Sequence, residues 1–288
     1  MIPYSFDYKV ADSLEEAFSL LSEAGENGAL LAGGHTLIPA MKLRLSEPDT
    51  VIDISKISDL NQITKDGDIL VVGALTNHAT VARSGDVMTY CRSLGEAAGV
   101  IGDPQVRNKG TIGGNIAHAD PASDYPGVLL SLNATVVAKS DSGSRSIAID
   151  DFFTALFETA LTEGEIITEI QIPVLGEGTG SAYIKFPNPA SRYAVVGVGV
   201  VITLTDGKCT ACRIGITGAA DHAFRASVTE EVLLGSDLST DDIEAACQHA
   251  AEGQELLSDL AASANYRVHL CSVMVKRAIN IAVERAIG

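Results

Sequence analysis

Two glycine pairs in similar polar surroundings are the feature that most constrains how this chain can fold. The first lies in Ala32-Gly33-Gly34-His35-Thr36 and the second in Thr111-Ile112-Gly113-Gly114-Asn115, each beside an apolar, strand-like run. Because glycine lacks a Cβ, a ligand can approach its main chain closely, and consecutive N–H groups can bind an anion. We therefore expect two turns that offer free backbone amides and bind one dinucleotide from two sides.

The same argument predicts the effect of a side chain in either motif. In a Gly33→Val or Gly113→Val variant, the new side chain is expected to occupy the pyrophosphate site, which abolishes retention of the dinucleotide and leaves most of the fold intact. Each motif taken alone could equally be an ordinary turn, and the similar composition of the two favours ligand binding. Thr36 supplies a hydroxyl suited to a phosphate oxygen, whereas His35 is either a donor or a plain loop residue.

Charge and hydropathy exclude several classes of protein. The net charge of −17 argues against binding nucleic acid or an anionic membrane through a general basic field. No apolar run approaches the roughly 20 residues that span a bilayer, and the N-terminus lacks the basic and apolar regions of a signal peptide. We expect a soluble cytoplasmic protein without a transmembrane segment, and its 288 residues favour two domains.

The five cysteines predict neither a disulfide framework nor a metal centre. Cys209-Thr210-Ala211-Cys212 has C-x-x-C spacing but lies in an alternating, strand-like segment. Residues three apart on a regular strand point to opposite faces, so we expect these two thiols to be separated. No second pair completes a zinc or iron–sulfur ligand set.

The first 60 residues predict a small parallel α/β unit. Ser13-Leu14-Glu15-Glu16 is a capping box followed by apolar residues at helical spacing. Strands at 29–32 and 51–54 flank a short helix at 37–45. Strand, helix, strand in this order favours parallel pairing through a right-handed crossover.

Residues 68–172 predict a larger unit of alternating strands and short helices. Thr76 is a candidate N-cap, and residues 103–110 are expected to form a polar loop leading into the second glycine motif. The predicted strands are 68–74, 129–138, 146–149 and 165–172, and the predicted helices are 76–82, 90–100 and the segment around 152–160.

A glycine-rich linker at 175–180 marks a domain boundary near residue 176. Beyond it, a strand at 194–205, a hairpin turn at Asp206-Gly207 and a returning strand at 208–218 predict antiparallel pairing. Helical spacing follows at 241–252 and 265–286. Gly197-Val198-Gly199 lacks the third glycine of a dinucleotide-binding turn and lies inside a strand, and no P-loop motif is present.

A few polar residues outside the glycine motifs are candidates for ligand contacts. Asp120 and Asp124 either accept hydrogen bonds from ribose hydroxyls or a flavin ring, or only cap the turns at neighbouring prolines. Tyr193 either stacks on a planar cofactor or packs on the surface of the second domain, and Lys185 lies on the other side of the same proline-containing segment.

The two glycine motifs with their flanks resemble one family closely. The matching stretches are Leu31-Ala32-Gly33-Gly34-His35-Thr36-Leu37-Ile38-Pro39 and Asp103-Pro104-Gln105-Val106-Arg107-Asn108-Lys109-Gly110-Thr111-Ile112-Gly113-Gly114-Asn115. They are similar to the FAD-binding medium subunits of molybdenum hydroxylases, above all the aerobic carbon monoxide dehydrogenase group. The xanthine dehydrogenase flavin domain is similar too, and the resemblance covers essentially the whole chain.

The resemblance implies an α+β fold. A two-part FAD-binding domain at 1–176 would combine a small parallel α/β unit with a larger, mainly antiparallel α+β unit. A C-terminal domain of carbon monoxide dehydrogenase flavoprotein type at 177–288 would contain a three-stranded antiparallel sheet and a helical bundle.

The resemblance also implies the cofactor-binding residues. Residues 32–36 and 111–115, which are the two glycine motifs, would hold the FAD pyrophosphate. Asp124 would contact polar atoms of the ribityl chain or the ring, and Ile101 would pack near the flavin. Leu161 and Lys185 would lie near the cofactor, and Tyr193 would lie near the isoalloxazine.

The implied activity is electron transfer within a molybdenum-dependent oxidoreductase. A small partner subunit would carry two [2Fe–2S] clusters and a large one the molybdenum cofactor, in a dimer of heterotrimers. FAD would pass electrons to an external acceptor such as a quinone, and this chain would supply no catalytic residue and no metal ligand. The complex would be cytoplasmic, with peripheral attachment to the inner face of the membrane left open.

The substrate of the complex and two other classes of function stay open. Carbon monoxide is the first expectation, although residues 186–192 are less basic than expected for that group. Xanthine, nicotine-like N-heterocycles and aldehydes are the alternatives. A free-standing flavoprotein and a non-catalytic dinucleotide-binding module are alternatives of another class.

Overall fold

The computed structural model describes residues 1–288, which form three sheets, one short hairpin, eleven α-helices and three single-turn 3-10 helices. In chain order the strands are β1 (Asp7–Val10), β2 (Gly28–Leu31), β3 (Thr50–Asp53), β4 (Ile63–Asp66), β5 (Ile69–Gly73), β6 (Thr135–Ser140), β7 (Gly143–Ala148), β8 (Phe153–Ala155), β9 (Glu158–Thr159), β10 (Ile166–Pro173), β11 (Thr179–Pro187), β12 (Ala194–Thr205), β13 (Lys208–Thr217) and β14 (Phe224–Arg225). The helices are α1 (Leu14–Ala24), α2 (Leu37–Leu43), α3 (His78–Arg83), α4 (Gly85–Tyr90), α5 (Arg92–Val100), α6 (Pro104–Arg107), α7 (Ile112–His118), α8 (Asp124–Ser131), α9 (Ser227–Leu233), α10 (Thr240–Cys247) and α11 (Ala264–Ile287).

The first sheet is parallel, with the strand order β1-β3-β2. The Ser13 hydroxyl caps α1 by accepting the Glu16 N–H, and the helix ends at Gly25, whose φ is +57°. The β2-α2-β3 unit confirms the predicted parallel strand–helix–strand arrangement. It places the first glycine motif in the connection between β2 and α2, at the edge of the sheet.

The second sheet is antiparallel, with the order β4-β5-β10-β6-β7. Helices α3 to α8 lie between β5 and β6 in the chain and contribute to the largest cluster of buried apolar side chains. Tyr125 and Phe152 are among the largest wholly buried side chains there. The second glycine motif begins α7, which contacts β10 of this sheet.

The third sheet has the order β11-β12-β13-β14 and is antiparallel. Its three long strands are those that the family resemblance implies, and the two-residue β14 adds a short fourth strand. Helix α11 packs across β11 and β12, and α9 and α10 complete the helical layer. None of the helices in the structure combines the length and the apolar character needed to cross a membrane.

Three glycines bring α8 against the third sheet. A Cβ on Gly215 would lie 2.0 Å from the carbonyl oxygen of Gly127, and one on Gly199 would lie 2.7 Å from Cα of Val128. Only residues without a side chain allow so close an approach of helix and strands. Gly199 therefore serves this packing, whereas a Cβ on Gly197 would lie 2.4 Å from the Tyr183 hydroxyl. Both glycines lie within β12, which agrees with the prediction that they form no dinucleotide-binding turn.

Several local predictions for the second unit were wrong. Residues 152–160 form the β8–β9 hairpin rather than a helix, because Phe157 at its turn adopts a left-handed φ of +58°. The single helix expected at 90–100 is interrupted at Cys91, which is not helical. The N-cap of α3 is Asn77, whose side chain accepts the Thr80 N–H at 2.8 Å, and not Thr76. The polar loop at 103–110 contains the short helix α6.

The expected separation of the C-x-x-C thiols was also wrong. Cys209 and Cys212 are both buried in the core of the third sheet. Thr203 pairs with Ala211 and Leu204 pairs with Cys209, so one extra residue is inserted in β13 between them. Such a bulge shifts the alternation by one residue and turns both thiols to the same face.

Candidate functional site

A cavity of about 930 Å³ lies where the first and second units meet. Both glycine motifs line it, together with Ile101, Asp124, Leu161 and Tyr193. Of the fifteen residues expected from the sequence to contact a cofactor, only Ile112 and Lys185 do not line this cavity. Ile112 is wholly buried at the start of α7, and Lys185 lies behind Asp124.

The first glycine motif offers a row of free donors. The backbone N–H groups of Gly33, Gly34, His35 and Thr36 have no acceptor within the protein. Gly34 has a φ of +72°, which glycine adopts without strain. Adjacent unpaired N–H groups beside a cavity suit an anionic ligand such as a phosphate, as expected from the sequence.

The second glycine motif uses its backbone differently, and the expectation of free amides there was wrong. The Ile112 N–H donates to Thr76 O at 3.0 Å and the Gly113 N–H donates to Ala74 O at 2.8 Å. Thr111 caps α7, because its hydroxyl accepts the Gly114 N–H at 3.2 Å. The polar groups that this motif turns to the cavity therefore belong mainly to side chains.

Asn115 provides one of these side chains. Its Oδ1 accepts a hydrogen bond of 2.5 Å from the Ser123 hydroxyl, which leaves the amide Nδ2 without a partner in the protein. Both residues line the cavity. An amide donor held in this way can bind an oxygen of a ligand.

The positions that an added Cβ would take explain why the motifs need glycine. They also show that the expected effect of Gly33→Val and Gly113→Val, a blocked phosphate site in an intact fold, was wrong. A Cβ on Gly33 would lie 2.1 Å from Lys109 O, and one on Gly113 would lie 2.8 Å from Ala74 O. Both side chains would therefore clash with protein backbone instead of filling a phosphate site. A Cβ on Gly114 would meet only the Thr111 hydroxyl at 2.9 Å and Ala32 Cβ at 3.8 Å.

Asp124 is the buried charge of the site. It is the first residue of α8, and its carboxylate accepts hydrogen bonds from the Tyr183 hydroxyl at 2.6 Å and from Lys185 Nζ at 3.0 Å. Burial raises the pKa of Asp124, and the Lys185 ammonium and the Tyr183 hydroxyl oppose that rise. The carboxylate is thus fixed in orientation at the cavity wall.

Lys185 holds several segments together rather than facing the cavity. Besides Asp124, its ammonium donates to Val100 O at 2.9 Å and to Arg192 O at 2.7 Å. An ammonium has three N–H donors, and all three therefore have partners within the protein. Its position near the cofactor stays a prediction, and these contacts indicate a positioning role for Lys185.

Backbone contacts fix the other cavity residues. Arg107 donates to the carbonyl oxygens of Ile101 and Gly102 at 2.8 and 3.3 Å, which holds the Ile101 loop. Tyr193 lies at the end of the β11–β12 connection, where the Asn188 N–H donates to its carbonyl oxygen at 2.8 Å. Its side chain is 43% exposed, so it stands at the mouth of the cavity.

The segment that carries Leu161 is held by an ion pair. Arg145 and Glu165 form a two-point contact of 2.6 and 2.8 Å, and Arg145 also donates to Ala160 O at 2.6 Å. The hydrogen bonds from Arg145, above all, lower the pKa of Glu165 to about 2.

Tyr183 and His78 are among the site residues that sequence reasoning missed. Tyr183 is two residues from Lys185 on β11 and shares its face, so strand alternation could have identified it. His78 lines the cavity and is 3% exposed, but an isolated histidine carries no sequence signal.

The residues fit a long anionic cofactor. A row of unpaired N–H groups, an amide donor and a buried carboxylate line one cavity of a size typical of ligand sites. The fold and the site therefore define a dinucleotide-binding protein.

Comparisons with known proteins define the family. Residues 4–175 match the FAD binding domain in molybdopterin dehydrogenase, and residues 181–282 match the CO dehydrogenase flavoprotein C-terminal domain. The chain therefore belongs to the family of FAD-binding medium subunits of molybdenum hydroxylases. This finding confirms the predicted family, FAD as the cofactor and the role as a subunit of an oxidoreductase.

Individual relatives cover almost the full length. The 6-hydroxypseudooxynicotine dehydrogenase complex subunit alpha of Paenarthrobacter nicotinovorans is 39% identical over 99% of this chain and 97% of its own. The carbon monoxide dehydrogenase medium chain of Hydrogenophaga pseudoflava is 38% identical over 99% of each chain. The carbon monoxide dehydrogenase structure from that organism superposes with a TM-score of 0.96 at 39% identity over 99% of each chain. Quinoline 2-oxidoreductase from Pseudomonas putida 86 has a TM-score of 0.94 at 28% identity over 100% of each chain. The predicted α+β fold class is thereby confirmed.

Proposed function

We propose that FAD lies in the 930 Å³ cavity with its pyrophosphate against residues 33–36 and the start of α7. The observation that carries this proposal is the row of four unpaired backbone N–H groups in the first motif. These amides complement the negative pyrophosphate without side-chain charge. The Thr111 hydroxyl and the Asn115 amide would complete the anion site from the opposite motif.

The remaining cavity residues would hold the ribityl chain and the ring. Asp124 is a fixed acceptor, suited to ribityl hydroxyls or an N–H group of the flavin. Ile101 and Leu161 would pack against the apolar part of the ring, and Tyr193 would cover it at the mouth of the cavity. Lys185 would act indirectly, by orienting Asp124.

We place the division between the FAD-binding and C-terminal domains at residue 176. Residues 1–176 contain the first two sheets and all cavity-lining residues up to Ile167, whereas residues 191–193 reach the cavity from the C-terminal domain. The extents of the two family matches, 4–175 and 181–282, support this position.

The chain would serve as the electron-output subunit of a heterotrimer. FAD supplies the ability to take up single electrons and release them in pairs. A small subunit with two [2Fe–2S] clusters would deliver electrons, a large molybdenum subunit would oxidise the substrate, and an acceptor such as a quinone would receive the electrons. We expect a cytoplasmic dimer of heterotrimers, and any attachment to the inner face of the membrane would be through the complex.

Carbon monoxide is the first substrate we propose for the complex. Two similarities of nearly equal strength support different substrates, because a 6-hydroxypseudooxynicotine dehydrogenase subunit and a carbon monoxide dehydrogenase chain are 39% and 38% identical. The second candidate is therefore an N-heterocyclic compound.

Purification from the native host tests both the proposed FAD-containing complex and the proposed substrate. We expect a flavin band near ~450 nm, iron–sulfur absorption and two further co-purifying chains. Bleaching of the flavin band by carbon monoxide, but not by nicotine derivatives, would support the first substrate, and the reverse would support the second. A colourless chain that cannot be reconstituted with FAD would contradict the site itself.

A further inference from the structure

His78 is a buried imidazole in the cavity wall between the two glycine motifs. It is the first residue of α3, and its main-chain N–H donates to Gly110 O at 3.0 Å. The ring lies in space left open by Gly110, since a Cβ at that position would lie 2.6 Å from His78 Nε2. The residue is 3% exposed and lines the cavity.

Only one nitrogen of this imidazole has a partner in the protein. His78 Nδ1 lies 3.1 Å from the Tyr125 hydroxyl, and the two rings meet edge to face. Nε2 has no hydrogen-bond partner in the protein, and it is not completely enclosed by protein atoms. It is therefore the nitrogen that a ligand bound in the cavity can reach. A polar atom placed in this way is available for a ligand.

Tyr125 decides which nitrogen carries the proton. Its hydroxyl is wholly buried, and His78 Nδ1 is its only partner. If Nδ1 were protonated, the tyrosine O–H would lack an acceptor, and an unsatisfied buried donor is costly. The tyrosine hydroxyl therefore donates to Nδ1, and the proton of the neutral imidazole is on Nε2.

The surroundings keep this donor uncharged. Burial, above all, with the charges of His35 and Arg107, lowers the pKa of His78 to about 4. Near neutral pH the imidazole is a neutral N–H donor. It complements an oxygen acceptor and adds no positive charge to the site.

We propose that His78 is a further FAD-binding residue whose Nε2–H donates to an oxygen of the pyrophosphate–ribityl part of the cofactor. Tyr125 is its positioning residue, because it fixes the tautomer. The inference rests on the proposed placement of FAD between the two glycine motifs. His78 Nε2 lies beside Gly110, the residue that precedes the second motif.

Three substitutions in the full-length chain separate the two nitrogens. The amide of His78→Gln can reach the Nε2 position, that of His78→Asn reaches only the Nδ1 position, and His78→Leu has neither. The dissociation constant of FAD is measured by titrating the deflavinated chain and following flavin fluorescence. We expect FAD to bind about tenfold more weakly to the Leu and Asn variants and within about threefold of the unsubstituted chain to the Gln variant.

Controls distinguish failure of this inference from failure of the FAD placement. His249→Leu removes an exposed histidine that pairs with Glu252 and is expected to leave FAD affinity unchanged. Gly114→Leu projects a side chain between the two motifs and is expected to abolish FAD binding. If it does so while His78→Leu binds FAD normally, His78 has no such role. If Gly114→Leu retains FAD, the placement itself is wrong, and this inference falls with it.

An NMR measurement on the unsubstituted chain tests the role of His78 even if a variant does not fold. In protein labelled with ¹⁵N-histidine, we expect His78 to be the neutral Nε2–H tautomer and its Nε2–H proton signal to shift when FAD is added. A proton on Nδ1, or an Nε2–H signal unaffected by saturating FAD, would overturn the proposal.

Discussion

The main chain at Gly33 packs directly against the carbonyl oxygen of Lys109. An ideal Cβ at residue 33 would lie 2.1 Å from that oxygen and 2.8 Å from Cα of Gly110. The first glycine motif is thus supported by the loop that leads into the second one. The free amides of residues 33–36 depend on this backbone contact for their position.

A Gly33→Ala substitution should therefore destabilise the protein and not merely block the cofactor site. The new methyl group would clash with backbone, which cannot rotate away, and overpacking of this kind costs about 3 kcal/mol. Urea unfolding should show this loss together with loss of bound FAD. The matched control is Gly85→Ala, at a helical position with open space around it, which should leave FAD content unchanged and raise stability by at most about 1 kcal/mol. Equal stabilities of the two variants would refute the packing argument.

The buried pair of Asp124 and Lys185 should be costly to break. In Lys185→Met the carboxylate of Asp124 keeps only the Tyr183 hydroxyl, and removing one partner of a buried pair costs about 3–5 kcal/mol. Tyr183→Phe should cost about 2 kcal/mol, since it removes a hydrogen bond to a charged group. Unfolding free energies measure both, and Lys208→Met in an exposed ion pair, expected to cost less than about 1 kcal/mol, is the control. If Lys185→Met costs no more than this control, Asp124 is not held as described.

Arg107 should hold the loop that contains Ile101 in a single conformation. In Arg107→Met the carbonyl oxygens of Ile101 and Gly102 lose their donor. We expect faster hydrogen exchange at residues 101–103 and FAD binding that is weaker by about three- to tenfold, which corresponds to the loss of one net hydrogen bond. Arg277→Met, on the exposed face of α11, provides the comparison. Unchanged exchange at 101–103 would show that the loop is held by packing alone.

The sequence predicts two segments of the fold correctly from local contacts alone. The parallel β2-α2-β3 unit followed from strand and helix periodicity, and the Asp206-Gly207 turn followed from two residues that both adopt positive φ. The sequence also predicted some of the residues that line the cavity, because many of these lie in the two short glycine motifs.

Contacts between distant segments could not be predicted in this way. The N–H groups of Ile112 and Gly113 donate to carbonyl oxygens just after β5, 36 and 39 residues earlier in the chain. The two motifs are therefore not equivalent. His78 and Tyr125 are 47 residues apart, and neither carries a motif. The bulge that reorients Cys209 appears only once β12 and β13 pair. Each of these features depends on tertiary packing that overrides local periodicity.

The Arg145–Glu165 pair should make stability depend on pH in a defined acidic window. The pKa of Glu165 is lowered from the ordinary 4.5 to about 2, first by the hydrogen bonds from Arg145. Because the folded pKa is below the unfolded one, the ionised carboxylate stabilises the fold. This contribution is complete above about pH 4.5 and is lost as the pH falls towards 2.

Glu165→Gln keeps the size of the side chain and removes its titration. We expect the unfolding free energy of the unsubstituted chain to exceed that of the variant by about 1 kcal/mol at pH 6, since Arg145 is half exposed, and the difference to shrink as the pH falls below 4.5. Urea unfolding of both proteins between pH 6 and 3 measures this difference in unfolding free energy. The contributions of the other carboxylates cancel in the difference, because they titrate in both proteins. Parallel curves over this range would mean that Glu165 has an ordinary pKa. The segment that carries Leu161 would then be held by Arg145 through Ala160 O alone.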